Sequence, residues 1–173
     1  MSRHYWVATT VNLGDTTNVQ KRAITKLAAS DPLFASKLAK LDWNELRQEA
    51  LVKAMQQCAK DGYSYRAKPS LTHLPDFTSN ETVLAALEKE SLFLLLTKSR
   101  SGNITFHRHQ YNPSSGPEDP AIWKRLEQLQ AAVMQAYIIE SSKTLAALIG
   151  TNLTITNLSG GKTKFTVDLK GKP

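Results

Sequence analysis

The alternation of apolar and polar positions changes its period several times along the chain, and each period predicts a different element. Residues 4–13 alternate and are rich in aromatic and β-branched types, which is typical of a β-strand. The next segment, about 15–62, carries apolar residues at helical spacing and predicts an insert of three helices. The last of these opens at Asp42, because Asp42 and Glu45 have the spacing of a capping box.

The middle of the chain predicts a loop, a helix and a buried strand. Residues 63–79 hold two prolines and show no clear period, so we expect a long loop. Thr78 and Glu81 again have capping-box spacing and predict a helix over about 80–90. Residues 91–97 are apolar at nearly every position, which predicts a central strand that is covered on both faces.

The last part of the chain predicts two hairpins separated by a long helix. A short polar turn leads into a return strand at 104–111, and a second loop occupies about 112–119. Apolar residues at helical spacing then predict one helix from Pro120 to just before Gly150. Two short alternating segments around Gly160-Gly161 predict a C-terminal hairpin.

Without the surplus helices, this order of elements is βαββαβ with one added strand. It predicts a single α+β domain over residues 1–173, with a ferredoxin-like antiparallel sheet, extra helices and an added C-terminal strand. The order resembles that of the RNA-recognition motif and of related domains in CRISPR ribonucleoproteins. The strand at 104–111 lacks the alternating glycine and aromatic residues of that motif, so the resemblance implies a topology and assigns no residue.

Charge adds an expectation about partners. The chain has 22 Lys and Arg residues against 15 Asp and Glu residues, which gives a formal net charge of +7. The excess is local, because no acidic residue lies between Glu90 and Glu118, a segment that contains Lys98, Arg100 and Arg108. A basic balance favours acidic partners, of which nucleic acid is the commonest.

Other features of composition narrow the class of protein. No apolar run is long enough to cross a membrane, and the N-terminus lacks the apolar segment of a secretory signal. We therefore expect a cytoplasmic protein that does not bind membranes. The single cysteine, Cys58, excludes an intrachain disulfide and is expected to be a small buried residue. No motif indicates a cofactor or a metal site.

The phases of the strands suggest a binding face. If Ile104 and Phe106 point to the core, then His107, His109 and Tyr111 lie on the opposite face of the sheet. Aromatic and cationic side chains together suit single-stranded nucleic acid, because bases stack on rings and cations neutralise phosphates. The residues expected to bind nucleic acid are Trp6, Tyr63, Tyr65, Arg66, Lys68, Lys98, Arg100, His107, Arg108, His109, Tyr111, Lys162 and Lys164.

Two motifs raise the question of catalysis. Gly161-Lys162-Thr163 resembles the end of a phosphate-binding loop, but Thr156 stands where that loop needs glycine and a strand follows it. His107 and His109 share a strand face and are candidates for a metal site or for a phosphodiesterase, yet the sequence supplies no clear further ligand and no second His-x-Ser/Thr pair.

The favoured hypothesis is therefore a non-enzymatic subunit of a ribonucleoprotein-type complex. It would contact nucleic acid, RNA rather than DNA, mainly through phosphates, and would act with other protein subunits. Two alternatives stay open: a protein–protein subunit whose interface is the helix from Pro120 with Ile138-Ile139, and the histidine-dependent enzyme. It is also open whether surplus helices cover the proposed binding face, in which case Trp6 belongs to the core.

Overall fold

The computed structural model describes residues 3–10, 29, 32–67, 81–112, 120–149, 152–157 and 163–168. Seven strands and three helices lie within these ranges. The strands are β1 (Arg3–Thr10), β2 (Ser64–Ala67), β3 (Glu81–Lys89), β4 (Leu92–Ser99), β5 (Ile104–Asn112), β6 (Asn152–Asn157) and β7 (Thr163–Asp168). The helices are α1 (Pro32–Ala39), α2 (Trp43–Gln57) and α3 (Pro120–Ile149).

Five of the strands form one antiparallel sheet in the order β1-β5-β4-β3-β2, and β6 pairs with β7 in a separate two-stranded sheet. The α+β class is therefore confirmed. The ferredoxin-like order is not confirmed, because β2 to β5 follow one another as neighbours in a meander. The described C-terminal strands pair with each other in a sheet of their own, so the added strand in the main sheet is not confirmed either.

The helix predicted over 80–90 is wrong, since this segment is strand β3. It pairs with β2 on one side and with β4 on the other, and Leu84 to Leu87 are all buried. A two-residue turn joins β3 to β4, with Glu90 in the left-handed region at φ 53°. The alanines, leucines and glutamates of the segment favour a helix, but pairing on both edges and burial of four successive residues override that local preference.

Strand β2 lies inside the segment predicted as a loop. Ser64 to Ala67 pair with Glu88 to Ala85 and form one edge of the five-stranded sheet. The short length of β2 and its exposed residues explain why periodicity did not reveal it. The remaining residues of the two predicted loops, 68–79 and 113–119, lie outside the described residues, as does most of the helix predicted at 17–29.

Several other elements match the sequence prediction. Strand β4 covers the apolar run, and α3 extends from Pro120 to Ile149 as expected. The start of α2 is also confirmed, because Asp42 Oδ1 accepts hydrogen bonds from the backbone N–H groups of Asn44 at 2.9 Å and Glu45 at 3.1 Å. These bonds satisfy two amides of the first helical turn.

Two compact units make up the chain, and two of the divisions between them fall inside helices, one in α2 and one in α3. The first unit is Met1–Asn12 with Val52–Ala136, and the second is Leu13–Leu51 with Tyr137–Pro173. In the first unit, side chains on both faces of the sheet are fully buried, among them Leu94 and Leu95. The single domain predicted over residues 1–173 stays a prediction.

The second unit buries hydroxyl groups along the C-terminal part of α3. Ser142 Oγ donates to the carbonyl of Ile138 at 2.8 Å, and Thr144 Oγ1 donates to that of Glu140 at 2.9 Å. Ser141, which is fully buried, bonds the same Ile138 carbonyl at 3.2 Å. These bonds to the helix's own backbone satisfy the hydroxyls and allow their burial.

Within the described residues, no helix combines the length and the apolar character that crossing a bilayer requires.

Candidate functional site

The register of β4 and β5 assigns their side chains to two faces of the sheet. Residues opposite one another in an antiparallel pair share a face, and alternate residues share it along a strand. We call one side the histidine face; on β4 and β5 it contains Phe93, Leu95, Thr97, Thr105, His107 and His109. We call the other the arginine face; on the same strands it contains Leu94, Leu96, Lys98, Ile104, Phe106 and Arg108.

A polar cluster on the histidine face joins three adjacent strands. Thr97 Oγ1 donates a hydrogen bond to Glu81 Oε2 at 2.7 Å, and His107 Nε2 lies 2.9 Å from the same oxygen. His107 Nε2 is also 3.1 Å from Thr97 Oγ1. The cluster is largely shielded from solvent, because Thr97 is fully buried and the side chains of His107 and Glu81 are 14% and 24% exposed.

The chemistry of the three side chains determines which of them donate hydrogen bonds and which accept them. An ionised carboxylate only accepts hydrogen bonds, so the His107 tautomer that bonds to an ionised Glu81 is the one with a proton on Nε2. In a nucleophile–base–acid relay, the two partners occupy different ring nitrogens of the histidine. Here both partners share one nitrogen, and the hydroxyl that would attack is buried. The cluster therefore has the geometry of a polar bridge between strands.

His109 does not belong to an open binding face. It is fully buried, and its ring lies 5.7 Å from that of Phe93 at an interplanar angle of 34°. Its register partner on β1 is Trp6, whose side chain is outside the description. The prediction of a stacking face fails at His109, because a ring without solvent access cannot receive a base. The alternative prediction is that additional helices cover this face, and the burial of His109 and Leu95 agrees with a covered face.

Arg108 lies on the opposite face from its two histidine neighbours. It lines a pocket of about 200 Å³ together with residues of the first half of α3, namely Glu127, Gln130, Ala131 and Met134. Alternation along β5 puts Arg108 on the same face as Ile104 and Phe106.

The turn between β4 and β5 presents two of the predicted cations. Arg100 is exposed at the tip, and Lys98 is half-buried on the arginine face at the end of β4. The turn is held by bonds from Ser99 N to Asn103 O at 2.9 Å and from Gly102 N to Ser99 O at 3.0 Å. Ser99 Oγ also accepts from Asn103 N at 3.0 Å. Gly102 has φ 87°, a conformation that favours glycine.

The basic-aromatic segment that begins at Tyr63 is already engaged in contacts within the chain. Arg66 Nε lies 2.7 Å from Glu88 Oε2, which offsets its charge although the arginine side chain is 61% exposed. Lys89 Nζ lies 5.4 Å from the centre of the Tyr63 ring and donates to the carbonyl of Asp61 at 2.7 Å. Burial raises the pKa of Tyr63 above its ordinary value, and the charge of nearby Arg125 partly opposes that rise. Tyr65 is half-buried on β2.

For the other predicted residues, the structure describes no side chain. Lys68 and Lys162 lie outside the described residues. Tyr111 is on β5 opposite His4, and Lys164 is on β7 in the second unit, opposite Thr156, but nothing is described of either side chain. Among the candidate nucleic-acid contacts with a described side chain, Arg100 at the β4–β5 turn and Arg66 on β2 are exposed, and Arg66 is paired with Glu88.

Cys58 is buried, as expected for a small apolar residue. Burial raises the pKa of its thiol, and the charge of Lys60 opposes this to a smaller extent. A raised pKa keeps the thiol protonated near neutral pH and slows its reaction with electrophiles.

Sequence reasoning missed four polar residues near these sites: Glu81, Thr97, Glu127 and Gln130. In the described part of the chain, no three His, Cys, Asp or Glu side chains are grouped closely enough to hold a metal ion. Comparison with protein-family models, with curated proteins and with solved structures finds no match for the chain. The function is therefore inferred from the chemistry of the residues themselves.

Proposed function

We propose that this chain is a non-enzymatic, nucleic-acid-binding subunit of a cytoplasmic ribonucleoprotein-type complex. It binds single-stranded RNA mainly through phosphates and works with other protein subunits. The observation that carries the proposal is the β4–β5 turn, where Arg100 is exposed on a hydrogen-bonded tip and Lys98 flanks it.

Local charge supports the role of this turn. The segment from residue 91 to 117 contains Lys98, Arg100 and Arg108 and no acidic residue. Glu81, which begins the neighbouring strand, directs its carboxylate to His107 and Thr97. A turn that is held by its own hydrogen bonds contacts phosphates at a smaller cost in backbone ordering than a free loop.

The non-enzymatic part of the proposal is supported by the histidine face. His107 was the leading candidate for acid–base chemistry, and its Nε2 is committed to Glu81 and Thr97. His109 is fully buried. Only 14% of the His107 side chain is exposed, so the surroundings of both rings favour a structural role.

The test measures binding of a labelled single-stranded oligonucleotide as a function of salt. Replacing both cations, Lys98→Ala with Arg100→Ala, should lower affinity by tenfold or more at low salt. The slope of log K against log[salt] should decrease by about 1.4, since each phosphate contact on a single strand contributes about 0.7. A matched control is Lys37→Ala with Lys53→Ala, which removes two exposed lysines from α1 and α2.

Equal losses in the two double variants would show that only the net charge matters and that the turn is not the contact. Arg100→Ala alone guards against a folding effect, because its side chain is exposed at the tip. If the parent chain binds no oligonucleotide at low salt, the proposal is wrong, and an interface with protein partners becomes the better explanation of the basic surface.

A further inference from the structure

The pocket at Arg108 is lined by side chains that the proposed phosphate contacts do not use. It lies between β5 and the first half of α3, within the first unit, and its volume is about 200 Å³. The α3 residues that line it are Glu127, Gln130, Ala131 and Met134. Their spacing of three and four residues puts them on one side of the helix, the side that meets Arg108.

Exposure shows where the pocket opens. Glu127 and Ala131 are exposed, whereas Arg108, Gln130 and Met134 are half-buried. The entrance is therefore on the Glu127 and Ala131 side, and Arg108, Gln130 and Met134 form the less exposed part of the lining. The volume is below the range of sites for drug-sized ligands, about 300–1,000 Å³, and suits a single small ring system.

The polar groups of the pocket select the type of ligand. Arg108 only donates hydrogen bonds, and Glu127 only accepts them when ionised. An anion alone would be repelled by Glu127, and a cation alone by Arg108. A neutral, planar group with acceptors on one edge and adjacent donors on another is complementary to both, and Ala131 with Met134 supplies the apolar surface that such a ring contacts.

Guanine matches this pattern better than the other bases do. Its O6 and N7 accept from arginine, which is the commonest base-specific contact, and its N1–H and 2-amino groups can donate in parallel to a carboxylate. Adenine has no donor at N1 and carries its amino group where guanine carries O6. The arginine and the carboxylate therefore each discriminate between the two purines.

Gln130 provides an independent sign that a donor belongs here. Its Oε1 is buried, and no residue in the described part of the chain donates a hydrogen bond to it. A buried acceptor without a donor is unfavourable, and the terminal torsion of a glutamine turns easily. Rotation of the amide would direct this oxygen to the second hydrogen of the 2-amino group.

We propose that the Arg108–Glu127–Gln130 pocket binds one guanine base of the RNA. The inference rests on the proposed function and deepens it, since it adds base recognition to phosphate binding. Arg108 and Lys98 are on the same face of the sheet, and Arg108 is four residues along β5 from the partner of Lys98. At about 3.3 Å per residue, the pocket is about 13 Å along the strand from the turn.

The experiment titrates the intact chain with free guanosine, inosine and adenosine, and separately with a guanine-free oligouridine and the same oligomer carrying one guanine. Guanosine should bind tightest, inosine several-fold more weakly because it lacks the 2-amino group, and adenosine at least tenfold more weakly. Glu127→Gln and Gln130→Leu should each reduce guanosine binding, the first by about tenfold, and leave oligouridine binding unchanged. Gln128→Leu, an exposed glutamine on the same helix that does not line the pocket, is the matched control.

The outcomes separate this inference from the proposed function. Binding of oligouridine without any preference for the guanine-containing oligomer, together with no guanosine binding, overturns the pocket and leaves the phosphate contacts. Guanosine binding that is lost in Glu127→Gln supports the pocket even if no oligomer binds, and would then point to a free nucleoside or nucleotide as the ligand. Equal affinity for guanosine and adenosine, or an equal effect of Gln128→Leu, overturns the base assignment.

Discussion

The two faces of the central hairpin differ in how they use similar residues. On the histidine face, His107 and His109 are turned inward, one bonded to Glu81 and Thr97 and the other packed near Phe93. On the arginine face, Arg108 lines a pocket and Lys98 is half-buried near the turn. Residues adjacent in sequence thus lie in a buried, hydrogen-bonded environment on one face and beside a pocket on the other.

The largest effect is expected when one buried leucine on each face is shortened to alanine. Leu94 and Leu95 are neighbours on β4 that point to opposite faces, and both are fully buried. Leu94→Ala and Leu95→Ala should each lower the free energy of unfolding by about 2–5 kcal/mol, because each leaves a cavity. Urea denaturation measures both. A loss below about 1 kcal/mol for Leu95→Ala alone would show that the histidine face is open.

A smaller effect is expected from the polar bridge itself. Thr97→Val keeps the shape of the side chain but removes the hydroxyl that donates to Glu81 and lies 3.1 Å from His107. The free energy of unfolding should fall by about 1–2 kcal/mol, because a part-buried carboxylate loses a donor. Thr82→Val, at an exposed position on β3, is the control and should change stability by less than about 0.5 kcal/mol.

If the two threonine variants had equal stability, the bridge would contribute nothing and His107 would be available for another role. Glu81→Gln is a second variant that tests the same contacts. It keeps an oxygen that can accept from Thr97 or His107 but removes the negative charge, so it separates the ionic part of the bridge from its hydrogen bonds.

Glu81 also shows how far the sequence could predict this molecule. Its spacing from Thr78 is that of a helix cap, and on local information it predicts a helix. In the structure it opens strand β3 and bonds to His107, which is 26 residues away. Local signals identified β4, α2 and α3, because each lies within its own segment. These signals are an apolar run for β4, a capping box for α2 and helical spacing of apolar residues for α3.

The parts that sequence reasoning did not reach depend on pairing between distant segments. The register of β4 with β5 decides that His107 is turned toward Glu81 and Arg108 toward α3, and a shift of one residue would exchange them. Glu127 and Gln130 have a helical spacing visible in the sequence, but only the packing of α3 on β5 brings them to Arg108. A residue's type and neighbours therefore predicted its chemistry and not its partner.

The smallest expected effect concerns Tyr63, whose ring centre lies 5.4 Å from Lys89 Nζ. Burial raises the pKa of Tyr63, so the folded chain holds this proton at a pH at which the unfolded chain has released it. The stability that this provides is complete below the ordinary tyrosine pKa of about 10 and is lost as pH rises from that value through the raised pKa of the folded state. Tyr63→Phe cannot lose a proton, and its urea midpoint should fall less steeply than that of the parent between pH 9 and about 11. Parallel alkaline slopes for the two proteins would mean that Tyr63 is as accessible in the folded chain as in the unfolded chain.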